Sequence, residues 1–176
     1  FFDIPVDHLF AAPVILDAVR EMRTPNLTIV SPDAGGVERA RAIAKRLEVG
    51  LAIVDKRRTK PNEADVMNVI GDVEGLTALI IDDIIDTAGT LTKTAEALLA
   101  HGAVDVMAVG VHGILSGPAI DRLRSSAVSE VLITNTTPIE EKLRRLEKLR
   151  PLSVAPLLGE AVRRIHEDSS VSSLFV

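Results

Sequence analysis

The sequence predicts an α/β domain built on a mostly parallel central sheet with helices on both faces. Two patterns predict it. Short apolar runs recur along the chain, most of them apolar on both faces, as strands covered from both sides are. Between them lie stretches with helical spacing, so strand, loop and helix alternate in the order that builds a parallel sheet. At 176 residues the chain has the size of one domain.

The elements follow in order. A helix over Ala12–Met22 precedes the first strand, Leu27–Val30. The glycines of SPDAGG lead into a helix over Val37–Leu47. Strands are read at Leu51–Val54, Val66–Ile70 and Leu76–Ile81. A helix over Thr90–His101 carries Leu91, Ala95, Leu98 and Leu99 on one stripe, with Gly102 where a C-cap belongs. After the strand Val106–Val111, Pro118 opens a short helix to Arg124, as proline does at a first turn. The last strand is Val131–Thr134, and Leu158, Ala161, Val162 and Ile165 mark a helix over Leu157–His166. Such sheets bind ligands in loops directly after strands, near the point where strand order switches.

Composition excludes several classes. Hydrophobic residues at 47% rule out disorder for most of the chain, and no apolar run reaches the roughly 18 residues of a membrane span. Twenty Lys and Arg against 25 Asp and Glu give a net charge of −5, which disfavours a general nucleic-acid binder. The aromatic residues are Phe1, Phe2, Phe10 and Phe175, so the centre of the chain has no ring on which bases could stack. Without cysteine there is no disulfide, thiolate zinc site or Cys nucleophile. The opening FFDIPVDHLF carries Asp3 and Asp7 and lacks a basic leader, and the expected location is the cytoplasm.

Chemistry concentrates where the strand Leu76–Ile81 runs into Asp82, Asp83, Ile84, Ile85, Asp86, Thr87, Ala88, Gly89 and Thr90. Adjacent carboxylates at a strand end point to opposite sides, and each can accept hydrogen bonds from sugar hydroxyls or help hold a divalent cation. The small-residue loop that follows lets backbone N–H groups approach an anion at a helix N-terminus. A simple N-cap by Asp86 or Thr87 would leave the second Asp and the small residues unexplained. Three further features have bland alternatives. Lys56, Arg57 and Arg58 form either a solvated surface loop or a loop that folds over a polyphosphate. Asp33, before Gly35 and Gly36, reads on pattern as an Asp turn held by its own side chain. Asn135, Thr136 and Thr137 line a pocket rim or form a plain turn before Pro138. His8, His101, His112 and His166 show no metal spacing, and His112 receives no role.

The string DDIIDTAGT after an aliphatic strand resembles the phosphoribosyl-diphosphate motif of type I phosphoribosyltransferases. With FFDIPVDHL, SPDAGG, DKRR, NVIGDVEG, VHGILSGPA, ITNTTP and SVSSLF, the whole chain resembles the second half of ribose-phosphate diphosphokinases (PRPP synthetases). The resemblance implies transfer of a diphosphate from ATP to the C1 hydroxyl of ribose 5-phosphate. It places ribose 5-phosphate on Asp82, Asp83, Asp86, Thr87, Ala88, Gly89 and Thr90, catalytic charge on Lys56 and Arg58, and Mg²⁺ on Asp33. Ser170, Ser172 and Phe175 would contribute to an allosteric site for ADP or phosphate, against the alternative of a frayed tail. Family members carry two tandem domains and form homo-oligomers, and much of the ATP site lies on the first domain and a neighbouring subunit. Residues 1–176 are accordingly expected to be a single domain, with 1–9 and 168–176 as linker and tail segments that pack toward a first domain. The isolated chain is expected to bind ribose 5-phosphate better than it turns over, with no nucleic-acid or membrane partner. Two alternatives stay open: a phosphoribosyltransferase that consumes PRPP, and a non-catalytic regulatory subunit.

Overall fold

Seven strands form one sheet in the computed structural model, which describes residues 2–57 and 66–175. The chain runs α1 (Ala12–Met22), β1 (Leu27–Ser31), α2 (Val37–Leu47), β2 (Gly50–Arg57), β3 (Val66–Ile70), β4 (Thr77–Ile85), α3 (Gly89–Ala100), β5 (Asp105–Gly113), α4 (Ala119–Ser125), β6 (Val131–Thr134), α5 (Glu140–Arg145), β7 (Leu149–Leu152) and α6 (Ala155–His166). A 3-10 turn, Ser172–Phe175, closes it. The strand order is β3-β2-β1-β4-β5-β6-β7, with every pair parallel except β2 and β3. After β1 the chain builds outward in one direction, and from β4 it builds in the other. The switch point therefore falls between the C-terminal ends of β1 and β4.

Side chains alternate across the pleat and divide the core in two. Leu79 and Ile81 of β4 pack with Ile15 and Val19 of α1 and Ile43 of α2. Ala78 and Ile80 face the other way, toward Leu91, Ala95 and Leu98 of α3 and Leu123 of α4. Both layers are almost wholly aliphatic, as the aromatic-free centre of the sequence requires.

β2 does not end at Val54: it runs on through Lys56 and Arg57, which pair with Met67 and Val66 of β3, so these two basic residues are strand and not loop. Two further features depart from the sequence expectations. First, β4 does not stop at Ile81. It stays paired with β5 through Asp82↔Gly110, Ile84↔His112 and Ile85↔Gly113, so both aspartates are strand residues. Second, α5 and β7 carry no clear apolar period. β7 is an edge strand of sequence LRPL, where a proline is tolerated because one side needs no ladder hydrogen bond.

The N-terminal segment and α6 leave apolar groups open. Phe2, Ile4 and Val6 are 60–72% exposed, and so are more than half of Leu158, Val162 and Ile165 on α6. No described helix is long and apolar enough to cross a membrane.

Candidate functional site

The switch point holds a pocket of about 270 Å³, lined by Asp33, Asp82 and residues 84–91. Asp33 comes from the turn after β1. The hydroxyl of buried Ser31 donates to the Asp33 carbonyl at 2.7 Å, and the Gly36 N–H donates to Asp33 Oδ1 at 3.0 Å. A Cβ on Gly36 would stand 2.8 Å from Ser31 Oγ, so this tight turn needs glycine there. Asp33 is thus held by an Asx-type turn and faces the pocket as well.

Alternation along β4 separates the carboxylate pair. Asp82 shares the α3 side with Ile80 and lines the pocket. Asp83 points to the α2 side, where its Oδ2 accepts from Arg39 Nη2 at 2.8 Å. The Asp83 N–H donates to Asp82 Oδ1 at 2.9 Å and ties the two together. Their acidities diverge. Burial pushes Asp82 up to about 6, helped by the adjacent Asp83 and by the charge of Asp33. Burial also works to raise Asp83, but the Arg39 guanidinium and the contacts with Asp82 and the Ile84 N–H outweigh it and hold Asp83 below the usual carboxylate range.

The loop after β4 forms the pocket's other wall. Ala88 sits at the N-cap of α3 with φ 58 and ψ 8, a left-handed conformation uncommon for alanine. No side chain caps the helix, so neither Asp86 nor Thr87 plays that part, and the N-terminal amides stay open for an anion. Asp86 lines the pocket and is tied to the segment after β5: its Oδ1 accepts from Ser116 Oγ, and its carbonyl from the Ser116 N–H at 3.1 Å.

The pocket therefore brings together Asp33, Asp82, Asp86, Thr87, Ala88, Gly89 and Thr90. Asp83 instead lines a larger cleft of about 580 Å³ with Arg39, His112, Thr136 and Phe10. In that cleft Thr136 Oγ1 meets His112 Nδ1 at 2.8 Å; of its neighbours in sequence, Asn135 Oδ1 accepts from the Val154 N–H at 2.9 Å and Thr137 Oγ1 donates to the Gly113 carbonyl at 3.0 Å. These three residues brace neighbouring strand ends and lie away from the smaller pocket. Ser170 and Ser172 lie in a tail that Arg164 ties to α6 through the Ser170 carbonyl at 3.0 Å and the Ser173 hydroxyl. Arg58 and the side chains of Lys56 and Phe175 fall outside the described residues. Among the described residues, no three acidic, His or Cys side chains converge as a metal cage.

Sequence reasoning missed Arg39, Ser116 and Arg122, all of which shape the site from its periphery. Only Ser116 lay in a motif already singled out, VHGILSGPA. Nothing in the spacing of the two arginines tied them to β4.

Comparison with known proteins supplies the lineage. Residues 56–176, well over half of the chain, match the family described as phosphoribosyl synthetase-associated domain. The chain belongs to that family. Ribose-phosphate pyrophosphokinases from Gloeobacter violaceus and Aquifex aeolicus are 56% and 53% identical to it over 99% of its length. The chain covers 53% and 56% of those proteins, so it spans about half the length of the curated relatives it matches. The crystal structure of phosphoribosylpyrophosphate synthetase from Mycobacterium smegmatis superposes with a TM-score of 0.85 at 38% identity, over 96% of this chain and 54% of that one. An adenine phosphoribosyltransferase structure matches with a TM-score of 0.55 at 20% identity over 69% of this chain and 76% of that one, which is a likeness of fold. The expected phosphoribosyltransferase-like α/β fold is the fold observed.

Proposed function

We propose that this chain is the sugar-phosphate half of a ribose-phosphate diphosphokinase. In the overall reaction the C1 hydroxyl oxygen of ribose 5-phosphate bonds to the β-phosphorus of ATP. The bond from that phosphorus to the α,β-bridging oxygen breaks, and PRPP and AMP result. One observation carries the reading: Asp82 and the uncapped N-terminus of α3 share one pocket at the switch point. An acceptor for sugar hydroxyls thus stands beside backbone donors for a phosphate. The family relationship supports the same assignment.

In this proposal Asp82 accepts from the ribose hydroxyls, and Asp83 joins it when ligand draws it from Arg39. Asp86, Thr87, Ala88, Gly89 and Thr90 surround the 5-phosphate. Lys56 and Arg58 stabilise charge on the transferring diphosphoryl group, since phosphoryl-type transfer rests on positioning and electrostatics. Asp33 would hold Mg²⁺: one oxygen is fixed by the Gly36 N–H, and the other has no hydrogen-bond partner among the described residues. One carboxylate with substrate phosphates is a usual Mg²⁺ set, and the ion would supply neutralisation of diphosphate charge. ATP contacts, homo-oligomer formation and a further domain ahead of residue 1 belong to the same proposal, as does an ADP or phosphate site at Ser170, Ser172 and Phe175. The isolated chain is then weakly active or inactive, and its location is the cytoplasm.

Calorimetric titration with ribose 5-phosphate, with and without Mg²⁺, tests the reading. Saturable binding that Asp82→Asn weakens about 10- to 100-fold supports it. Heat of binding from a free nucleobase, with diphosphate released from PRPP, would replace it with a phosphoribosyltransferase. In a chain that turns over, Arg58→Ala is expected to lower kcat by about 100-fold or more while ribose 5-phosphate affinity changes less than about threefold. Equal losses in both would remove Arg58 from its role.

A further inference from the structure

A hydrogen bond from a distant helix holds the peptide at the front of α3. Arg122 Nη1, from α4, donates to the Thr87 carbonyl at 3.0 Å. Arg122 is not among the residues that line the pocket. A trans peptide is planar, with its C=O and N–H antiparallel. Fixing the Thr87 carbonyl toward Arg122 therefore turns the Ala88 N–H the opposite way, away from Arg122. Ala88 is left with φ 58, a conformation that persists only where the surroundings dictate it. Gly89 admits the guanidinium: a Cβ there would lie 3.2 Å from Arg122 Nη1. Ser116 secures the other end of the same turn through Asp86.

We propose that Arg122 is a positioning residue for anion binding, which holds the Thr87–Ala88 peptide so that the Ala88 N–H faces the phosphate. Without it the carbonyl is free to rotate inward, where its partial negative charge opposes the anion. The inference rests on the reading of residues 86–90 as a phosphate loop.

Titration of the ¹⁵N-labelled chain with inorganic phosphate, and in parallel with ribose 5-phosphate, tests both levels. In the wild type the amides of Ala88, Gly89 and Thr90 shift together on saturation. In Arg122→Met, phosphate affinity is expected to fall about tenfold, with the Ala88 response lost while Gly89 and Thr90 still respond. Arg122→Lys, which keeps a charged donor, restores most of the affinity and the Ala88 response. An Arg122→Met chain in which Ala88 responds as before overturns the inference, whether affinity is unchanged or reduced, because Arg122 then acts by charge alone or not at all. Loss of all three responses together with a lowered Tm also overturns it, since that is general support of the loop. A wild-type chain that answers neither ligand overturns the phosphate-loop reading and this inference with it.

Discussion

Replacing Asp82 by Asn will stabilise the chain at pH 7.5 while weakening ribose 5-phosphate binding about 10- to 100-fold. The loss follows from removing a charge-assisted acceptor that faces the pocket, worth about 1.5–3 kcal/mol. The gain follows from acidity. Asp82 titrates at about 6 in the folded chain against 3.8 when unperturbed, because burial disfavours its charge. A carboxylate raised on folding favours the native state while it is protonated. That advantage is present at low pH and is lost as pH rises through about 6. Above that, ionised Asp82 costs stability, which Asn does not. After allowance for solvent screening of a half-buried group, the gain is on the order of 1 kcal/mol, or about 2–4 °C in Tm for a chain this long. It should vanish below about pH 4, where both proteins are neutral at this position. Asn can still accept the Asp83 N–H through its carbonyl, so the strand geometry is retained. Melting curves of both proteins between pH 4 and 8 settle the sign; a mutant less stable at pH 7.5 would mean that Asp82 is paired and favourable in the native state. Binding isotherms over the same range need the difference between the proteins, because the second ionisation of a phosphate monoester also lies near 6.

Much of the site was legible because it rests on local rules. Residue alternation alone dictates that Asp82 and Asp83 diverge, and the small residues after β4 mark the uncapped helix start that lines the pocket. The helices Ala12–Met22 and Val37–Leu47 were readable to the residue, whereas their left-handed C-cap residues, Arg23 and Glu48, are not the Gly or Asn that marks such an end in a sequence. What stayed hidden depends on contacts distant in sequence. Arg39 lies 44 residues from Asp83, and Arg122 lies 35 from Thr87. Either arginine reads as an ordinary solvated helix residue until the sheet brings it to β4. The extension of β4 through both aspartates escaped for the same reason. Its polar end is held by ladder bonds to β5, which no periodicity in β4 itself reveals. β7 has only four residues, too few to show a period, and includes Pro151.

Gly113→Ala will destabilise the chain by about 3 kcal/mol and lower its Tm by roughly 6–12 °C, the upper part of the usual range for overpacking. Gly113 is buried at the end of β5. A Cβ there would lie 2.4 and 2.7 Å from Cγ2 and Cδ1 of Ile133, itself wholly buried in β6. Carbon atoms do not approach so closely, so Ile133 must leave its rotamer or the strands must part. Neither movement is free. The Gly113 carbonyl accepts from Thr137 Oγ1 at 3.0 Å and Lys142 Nζ at 2.8 Å, which pins the strand end. Two residues on, the Leu115 N–H donates to the Ile85 carbonyl at 3.0 Å, and Ser116 holds Asp86. Displacement at Gly113 is therefore passed to the loop at the front of α3, and ribose 5-phosphate affinity should fall along with stability. Ile133→Ala removes both clashing carbons. By itself it costs about 2–5 kcal/mol as a cavity, yet adding Gly113→Ala to it should cost little more. A double-mutant cycle with a coupling of about 2–3 kcal/mol, and ligand affinity regained in the double mutant, would assign the defect to this one contact. Additive losses would instead place the strain in the β5 backbone, and the link from the β5–β6 core to the loop would then run through Lys142 and Thr137 alone.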